Sequence, residues 1–166
     1  MGVLDDEQLA EVRLRLGWTQ NDLADFEDAA ESLKVAVAFF RRSEGGTEML
    51  LLSLAGLSTA QQKNGDRVNA YTTLQKLADI HRSHPNTDES ALAFTLCSLS
   101  ELGVQLGFVD EAQDAILEAA ELIEKGSVLP ETQRLVFERG FNVAKRIGNE
   151  KALTYFETEL AELNQS

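Results

Sequence analysis

The chain is poor in several residue types, and each shortage excludes something. Cys97 is the only cysteine, so no internal disulfide can form, and its apolar surroundings suit a buried free thiol. Two prolines, Pro85 and Pro130, leave long stretches uninterrupted. No apolar run approaches the length of a membrane-spanning helix. The opening residues "MGVLDDEQLAEV" lack the basic and apolar regions of a signal peptide, and Asp6 stands where a myristoylation signal needs Ser or Thr. A reducing, cytoplasmic setting is expected. Bases are scarce too: 15 Lys and Arg against 28 Asp and Glu, a net charge of −13. Phosphate backbones need a basic surface, so nucleic acid is not an expected partner, and without a long apolar run neither is a membrane.

Chemistry-bearing motifs are equally thin. There is no phosphate loop, nucleophile elbow or Cys/His pairing. His81 and His84 form an H-x-x-H near Asp79 and Asp88, but no third ligand is fixed, and a structural zinc needs four. The clusters "DDE" and "DFED" read as solvated helix starts that complement the helix dipole and lack calcium-loop spacing. No catalytic residue, metal or cofactor is expected.

What the chain does have is a period. The phrases "LADFEDAAESLKVAVAFF", "NGDRVNAYTTLQKLADI", "LGFVDEAQDAILEAAELI" and "IGNEKALTYFETELAEL" carry markers at Ala24, Gly65, Gly107 and Gly148, separated by 41, 42 and 41 residues. Ala29, Ala70 and Ala112 follow the first three markers by five residues, while Ala152 comes one residue early. Leu16, Leu57 and Leu99 precede the same three by eight. A fixed spacing of this size marks a stacked repeat.

The phrases are helical. Ala29, Leu33, Ala36, Val37 and Phe40 step by three and four, as do Ala112, Ile116, Ala119, Ala120 and Ile123. Each phrase is preceded by a second helical stretch: 9–21, 48–63, 89–106 and 132–147. The breaks "SEGGTE", "SHPNTDE" and "GSVLPET" supply helix starts, with Thr47 and either Thr87 or Asp88 as caps and Pro130 in a first turn. Eight helices in four antiparallel pairs are predicted, spanning units 5–44, 47–84, 88–126 and 131–164 of one domain, 1–166. Small residues near each fold-back let the two axes approach, and a marker glycine can take the left-handed conformation that ends a helix.

This pattern resembles the tetratricopeptide repeat (TPR), a helix–turn–helix unit with a leucine and a small residue in its first helix and glycine-x-x-x-x-alanine across the turn. Leu16-Gly17, Ala24, Ala29 and Ala36 carry the resemblance in the first unit, Gly65 and Ala70 in the second, Gly107, Ala112 and Ala119 in the third, and Gly148 in the fourth. The ordinary period is about 34 residues. This longer one is similar to the variant in kinesin light chains and bacterial peptide-sensing regulators, and similar pairs occur in large LuxR-type activators. The resemblance implies an all-α, right-handed superhelical TPR-like solenoid of four hairpins, with first helices lining a concave groove.

Carrying groove positions over from that resemblance gives a list of partner-binding candidates: Arg15, Trp18 and Asn21, then Lys63, then Glu101, then Arg139, Asn142, Lys145 and Arg146. Phe94, Cys97 and Ser98 fall at groove positions of the third unit as well, although Phe94 is expected to pad the core. Arg139, Asn142 and Arg146 share one helix face and are the favoured contacts. With Glu11, Asp22 and Glu138, which fall at groove positions too, the group holds five bases against four acids, whereas residues 89–125 hold eight acids and one base. The expected function is a non-enzymatic module that holds a protein or peptide segment, one bearing acidic groups. The alternatives are a sensor domain of a larger regulator and a self-assembling module that pairs through the C-terminal helix face of Ala152, Phe156, Leu160 and Leu163.

Overall fold

The computed structural model describes residues 5–84, 88–126 and 128–165, and all regular structure among them is helical. The helices are α1 (Asp6–Asp22), α2 (Phe26–Phe40), α3 (Thr47–Lys63), α4 (Arg67–Ser83), α5 (Glu89–Leu106), α6 (Val109–Glu124), α7 (Pro130–Ile147) and α8 (Glu150–Leu163). The fold class is the expected one: all-α, TPR-like helix hairpins. Two compact units emerge, Met1–Leu77 and Ala78–Ser166, with the boundary inside α4. In the first, α1 packs on α2 and both pack on α3; in the second, α5 packs on α6, α7 on α8, and α7 also meets α5 and α6.

Local chemistry sets the helix starts. α1 begins three residues before the expected start, capped by Asp5 through a reciprocal box with Gln8: the Gln8 N–H donates to the Asp5 carboxylate and the Asp5 N–H to Gln8 Oε1. Asp88 caps α5, accepting from Ser90 and Ala91 N–H, and Asn149 caps α8, accepting from Ala152 N–H. Pro130 opens α7, where its missing N–H costs nothing. Thr47 is not a cap. Gly45 turns the chain at φ +78°, which places Gly46 at the cap position and Thr47 inside the first turn. Thr87 lies outside the described residues.

All four fold-back turns are one structure. Ala24, Gly65, Gly107 and Gly148 have φ of 64°, 79°, 87° and 74°. After each, the next N–H reaches back five residues: Asp25 to Gln20 O, Asp66 to Gln61 O, Phe108 to Gly103 O and Asn149 to Ala144 O, at 2.8–3.0 Å. This is the bond that closes a Schellman cap. At Ala24 the same conformation is held against the Cβ clash, worth roughly 1–2 kcal/mol.

A second constant lies beneath the first. Gly17, Ser58, Ser100 and Gly140 each stand twelve residues before the buried alanine of their unit, Ala29, Ala70, Ala112 or Ala152. In this register the fourth unit is not displaced; only its left-handed residue moves by one. The contact is close. A Cβ on Gly17 would overlap Leu33 Cγ, one on Gly140 would lie 2.5 Å from the Phe156 ring, and Ser100 Oγ donates to Ala112 O at 2.6 Å. Small residues therefore sit on both sides of each crossing, which brings the axes together and lets Leu33 and Phe156 be fully buried.

Candidate functional site

The first helices of each unit meet along a seam, and the two seams differ. In the first unit Trp18 and Asn21 of α1 lie over Gly56 of α3. Asn21 Nδ2 donates to Gly56 O at 3.0 Å, and a Cβ on Gly56 would come within 3.1 Å of the Trp18 ring. Trp18 is half-buried against the core of Leu14, Leu33 and Leu57. Asn21 and Trp18 are thus committed to packing. Arg15 is solvent-exposed and leans on Glu11 at 3.9 Å, and Lys63 is exposed near the end of α3.

In the second unit Arg139 of α7 is the centre. Its guanidinium stacks over Phe94 of α5 at 5.1 Å, donates to Ser98 Oγ at 3.2 Å and pairs with Glu101 at 3.4 Å. Its side chain keeps 24% of its exposure, so the stack forms part of the surface. Phe94 is 49% exposed, contrary to the expectation that it pads the core. It falls in the twelve-residue register opposite the half-exposed Glu11, while Cys97 falls opposite buried Leu14. Cys97 is fully buried, and burial pushes its thiol up to about 12, so it is no groove residue. Ser98 is also buried, its hydroxyl accepting from Arg139. Asn142, Lys145 and Arg146 are exposed on α7. Among the described residues, no ion pair includes either of these last two bases. The structure therefore brings Glu101 and Arg139 together, leaves Asn142, Lys145 and Arg146 free on the same helix, and separates Trp18 and Asn21 into a packed seam.

Acid gathers on a second helix. Asp110, Glu111, Asp114, Glu121 and Glu124 of α6 are exposed, and Glu118 forms a two-pronged pair with Arg82 at 2.7 and 2.9 Å. Between α6 and α8 runs an open cleft of about 460 Å³, lined in part by Leu117, Ala120, Lys151 and Tyr155. The Tyr155 hydroxyl donates to Glu124 at 3.0 Å, and burial together with that bond holds the phenol well above its ordinary value. The C-terminal face read as a self-assembly surface is largely consumed within its own hairpin: Ala152 and Phe156 are buried, Phe156 against Gly140 and Phe137, and Leu160 and Leu163 are half-buried. His81 is buried, and its imidazole is held below its ordinary value by desolvation. No group of three His, Cys, Asp or Glu among the described residues could hold a metal. No helix among them is long and apolar enough to cross a membrane.

No family model and no curated protein matches the sequence. Solved structures do. The chain is similar to the apo form of RapI, with a TM-score of 0.84 at 13% identity over 98% of this chain and 58% of that one. It is also similar to nearly identical TPR-like repeats assigned to a kinesin light chain of Podosopora anserina. There the TM-score is 0.52 at 15% identity, over 98% of this chain and 97% of that one. A single-substitution form of the same repeats matches equally, over 99% of this chain and all of that one. The chain thus spans less than two thirds of RapI's length.

Proposed function

From a TPR-like helical-repeat fold, we propose that this chain is a non-catalytic interaction module that holds an acidic protein or peptide segment against its first helices. One observation carries the reading. In a chain of net charge −13, α7 presents Asn142, Lys145 and Arg146 to solvent beside an exposed Phe94 roofed by Arg139. An extended segment needs amide partners for its backbone and guanidinium or ammonium groups for its carboxylates, and an aromatic face adds contact area. Arg139 is held in place by Glu101, so it acts as a fixed platform, whereas Lys145 and Arg146 are free to close on a ligand. The acids of α6 repel such a segment from the second helices. A cytoplasmic location fits the lone buried Cys97.

The test is fluorescence anisotropy with a labelled Glu- and Asp-rich peptide. Saturable binding that weakens about tenfold in Lys145→Glu/Arg146→Glu, and weakens with salt, supports the reading. Equal binding by the double variant would reject it. A second reading, a sensor module inside a longer polypeptide, is favoured by the 58% span of RapI; it requires the same peptide to change the hydrodynamic radius. Self-association through α8 would need its hairpin to open, and light scattering that finds only monomer disposes of it.

A further inference from the structure

We propose that the cleft between α6 and α8 is a second binding site, one that takes an arginine side chain from a basic segment of a partner protein. Its volume of about 460 Å³ lies in the range of natural ligand sites, roughly 300–1,000 Å³. Two side-chain bonds tie the helices together across it. Asn149 Nδ2 donates to Gln113 Oε1 at 2.8 Å near the helix starts, and the Tyr155 hydroxyl donates to Glu124 at the end of α6. Buried Ala120 and Ala152, with the more exposed Leu117, give the cleft an apolar lining. The Tyr155 ring is held by edge contacts with Phe137 at 6.4 Å and Phe156 at 5.1 Å.

Charge selects the occupant. Glu121 and Glu124 line the cleft and fall in the last turn of α6, which holds no base. The carbonyl end of a helix is negative, so carboxylates there are unfavourable until a cation meets them. More acid stands beside them. The Glu159 carboxyl is held above its ordinary value by desolvation and by the charges of Glu162 and Glu124. Against these four carboxylates stand two amines, Lys151 in the lining and Lys125 at the cap of α6. Lys151, Tyr155 and Glu159 follow at intervals of four on α8, so the amine lies one turn to one side of the ring and a carboxylate one turn to the other.

A guanidinium meets each feature. Its plane lies against the Tyr155 ring, its N–H groups pair with Glu121 and Glu124, and its methylenes cover Leu117 and Ala120. Asp110, Glu111 and Asp114 are exposed along the same helix and extend the attraction to the rest of a basic segment. The chain's charge of −13 draws such a segment and repels a second copy.

The experiment uses the full chain and a labelled Leu-Arg-Leu-Arg peptide in a glycine–serine frame, read by fluorescence anisotropy. We expect saturable binding, about tenfold weaker for Glu121→Gln/Glu124→Gln, and about tenfold weaker when citrulline, which keeps the shape and loses the charge, replaces arginine. Asp110→Asn/Asp114→Asn removes the same charge from the same helix outside the cleft and should weaken binding less than about twofold. All four positions are exposed, so both pairs should keep the thermal midpoint by circular dichroism. Leu117→Arg, which puts the chain's own guanidinium in the cleft, should weaken binding like the glutamate pair. The inference fails if the arginine peptide does not bind, if the two double variants weaken it equally, if Leu117→Arg leaves it unchanged, or if the citrulline peptide binds as tightly. It also fails if agmatine, a free guanidinium, binds as tightly as the peptide, because the occupant would then be a small amine. A dimer in sedimentation that Glu121→Gln/Glu124→Gln dissolves would overturn it too, in favour of a second copy. Lys145→Glu/Arg146→Glu should not weaken this binding, which separates the site from that on α7.

Discussion

The seam between α1 and α3 and the seam between α5 and α7 perform the same task with opposite materials. The first is neutral and tight: Gly56 admits Trp18, and Asn21 ties off a helix carbonyl. The second is charged, bridged by Arg139 across Phe94, Ser98 and Glu101. A packed seam has nothing left to offer a ligand. A bridged seam keeps an aromatic face and a guanidinium at the surface. The repeat therefore supplies one backbone frame, and substitutions at equivalent positions decide which part of it can bind.

Breaking the frame itself should have the largest effect. Gly17→Ala and Gly140→Ala each force a Cβ into a fully buried side chain, Leu33 or Phe156, that has no space to yield. Each should lower stability by about 1–3 kcal/mol in urea unfolding. A neutral result at either position would mean that the helix axes are farther apart than described.

The contrast between seams sharpens with Asn21→Ala and Arg139→Ala. Asn21→Ala leaves the Gly56 carbonyl without its side-chain donor and should cost about 1–2 kcal/mol. Arg139→Ala removes a partly solvated pair and a surface stack, so its cost should stay under about 1 kcal/mol while peptide binding falls. A larger stability loss at Arg139 than at Asn21 would reverse the assignment of structural and functional seams.

A smaller gain is expected at the first turn. Ala24→Gly relieves a left-handed alanine at some entropic cost in the unfolded chain, and should stabilise by up to about 1 kcal/mol. Gly107→Ala should lose about as much. The smallest effect is electrostatic. His81 is held below its ordinary value, so its contribution is present above about pH 6.5 and fades as pH falls through the lower folded value. His81→Gln should flatten that acid-side decline in thermal midpoint.

The frame is legible in the sequence because its turns demand a backbone that glycine adopts most easily, and Gly65, Gly107 and Gly148 announce it at even spacing. Ala24 is readable only through that spacing. The deeper register is hidden because serine at 58 and 100 does the work of glycine at 17 and 140, and residue type masks what position reveals. Phe94 misleads for a related reason: an aromatic inside "LAFTLCSL" looks like core until its counterpart, Glu11, is set beside it. Thr47 looks like a cap because nothing in its own identity shows that two glycines reverse the chain one residue early. The exposure of Lys145 and Arg146 follows from helical periodicity. The stacking of Arg139 on a residue of another hairpin has no local signal.

The most direct test of the claim that α7 and its seam with α5, not the second helices or the packed α1–α3 seam, hold the partner is an amide chemical-shift titration with the acidic peptide. The perturbations are expected to concentrate at Phe94, Glu101, Asn142, Lys145 and Arg146. Perturbations centred on Leu117, Glu124 and Tyr155 of the α6–α8 cleft, or on Trp18 and Asn21, would contradict it.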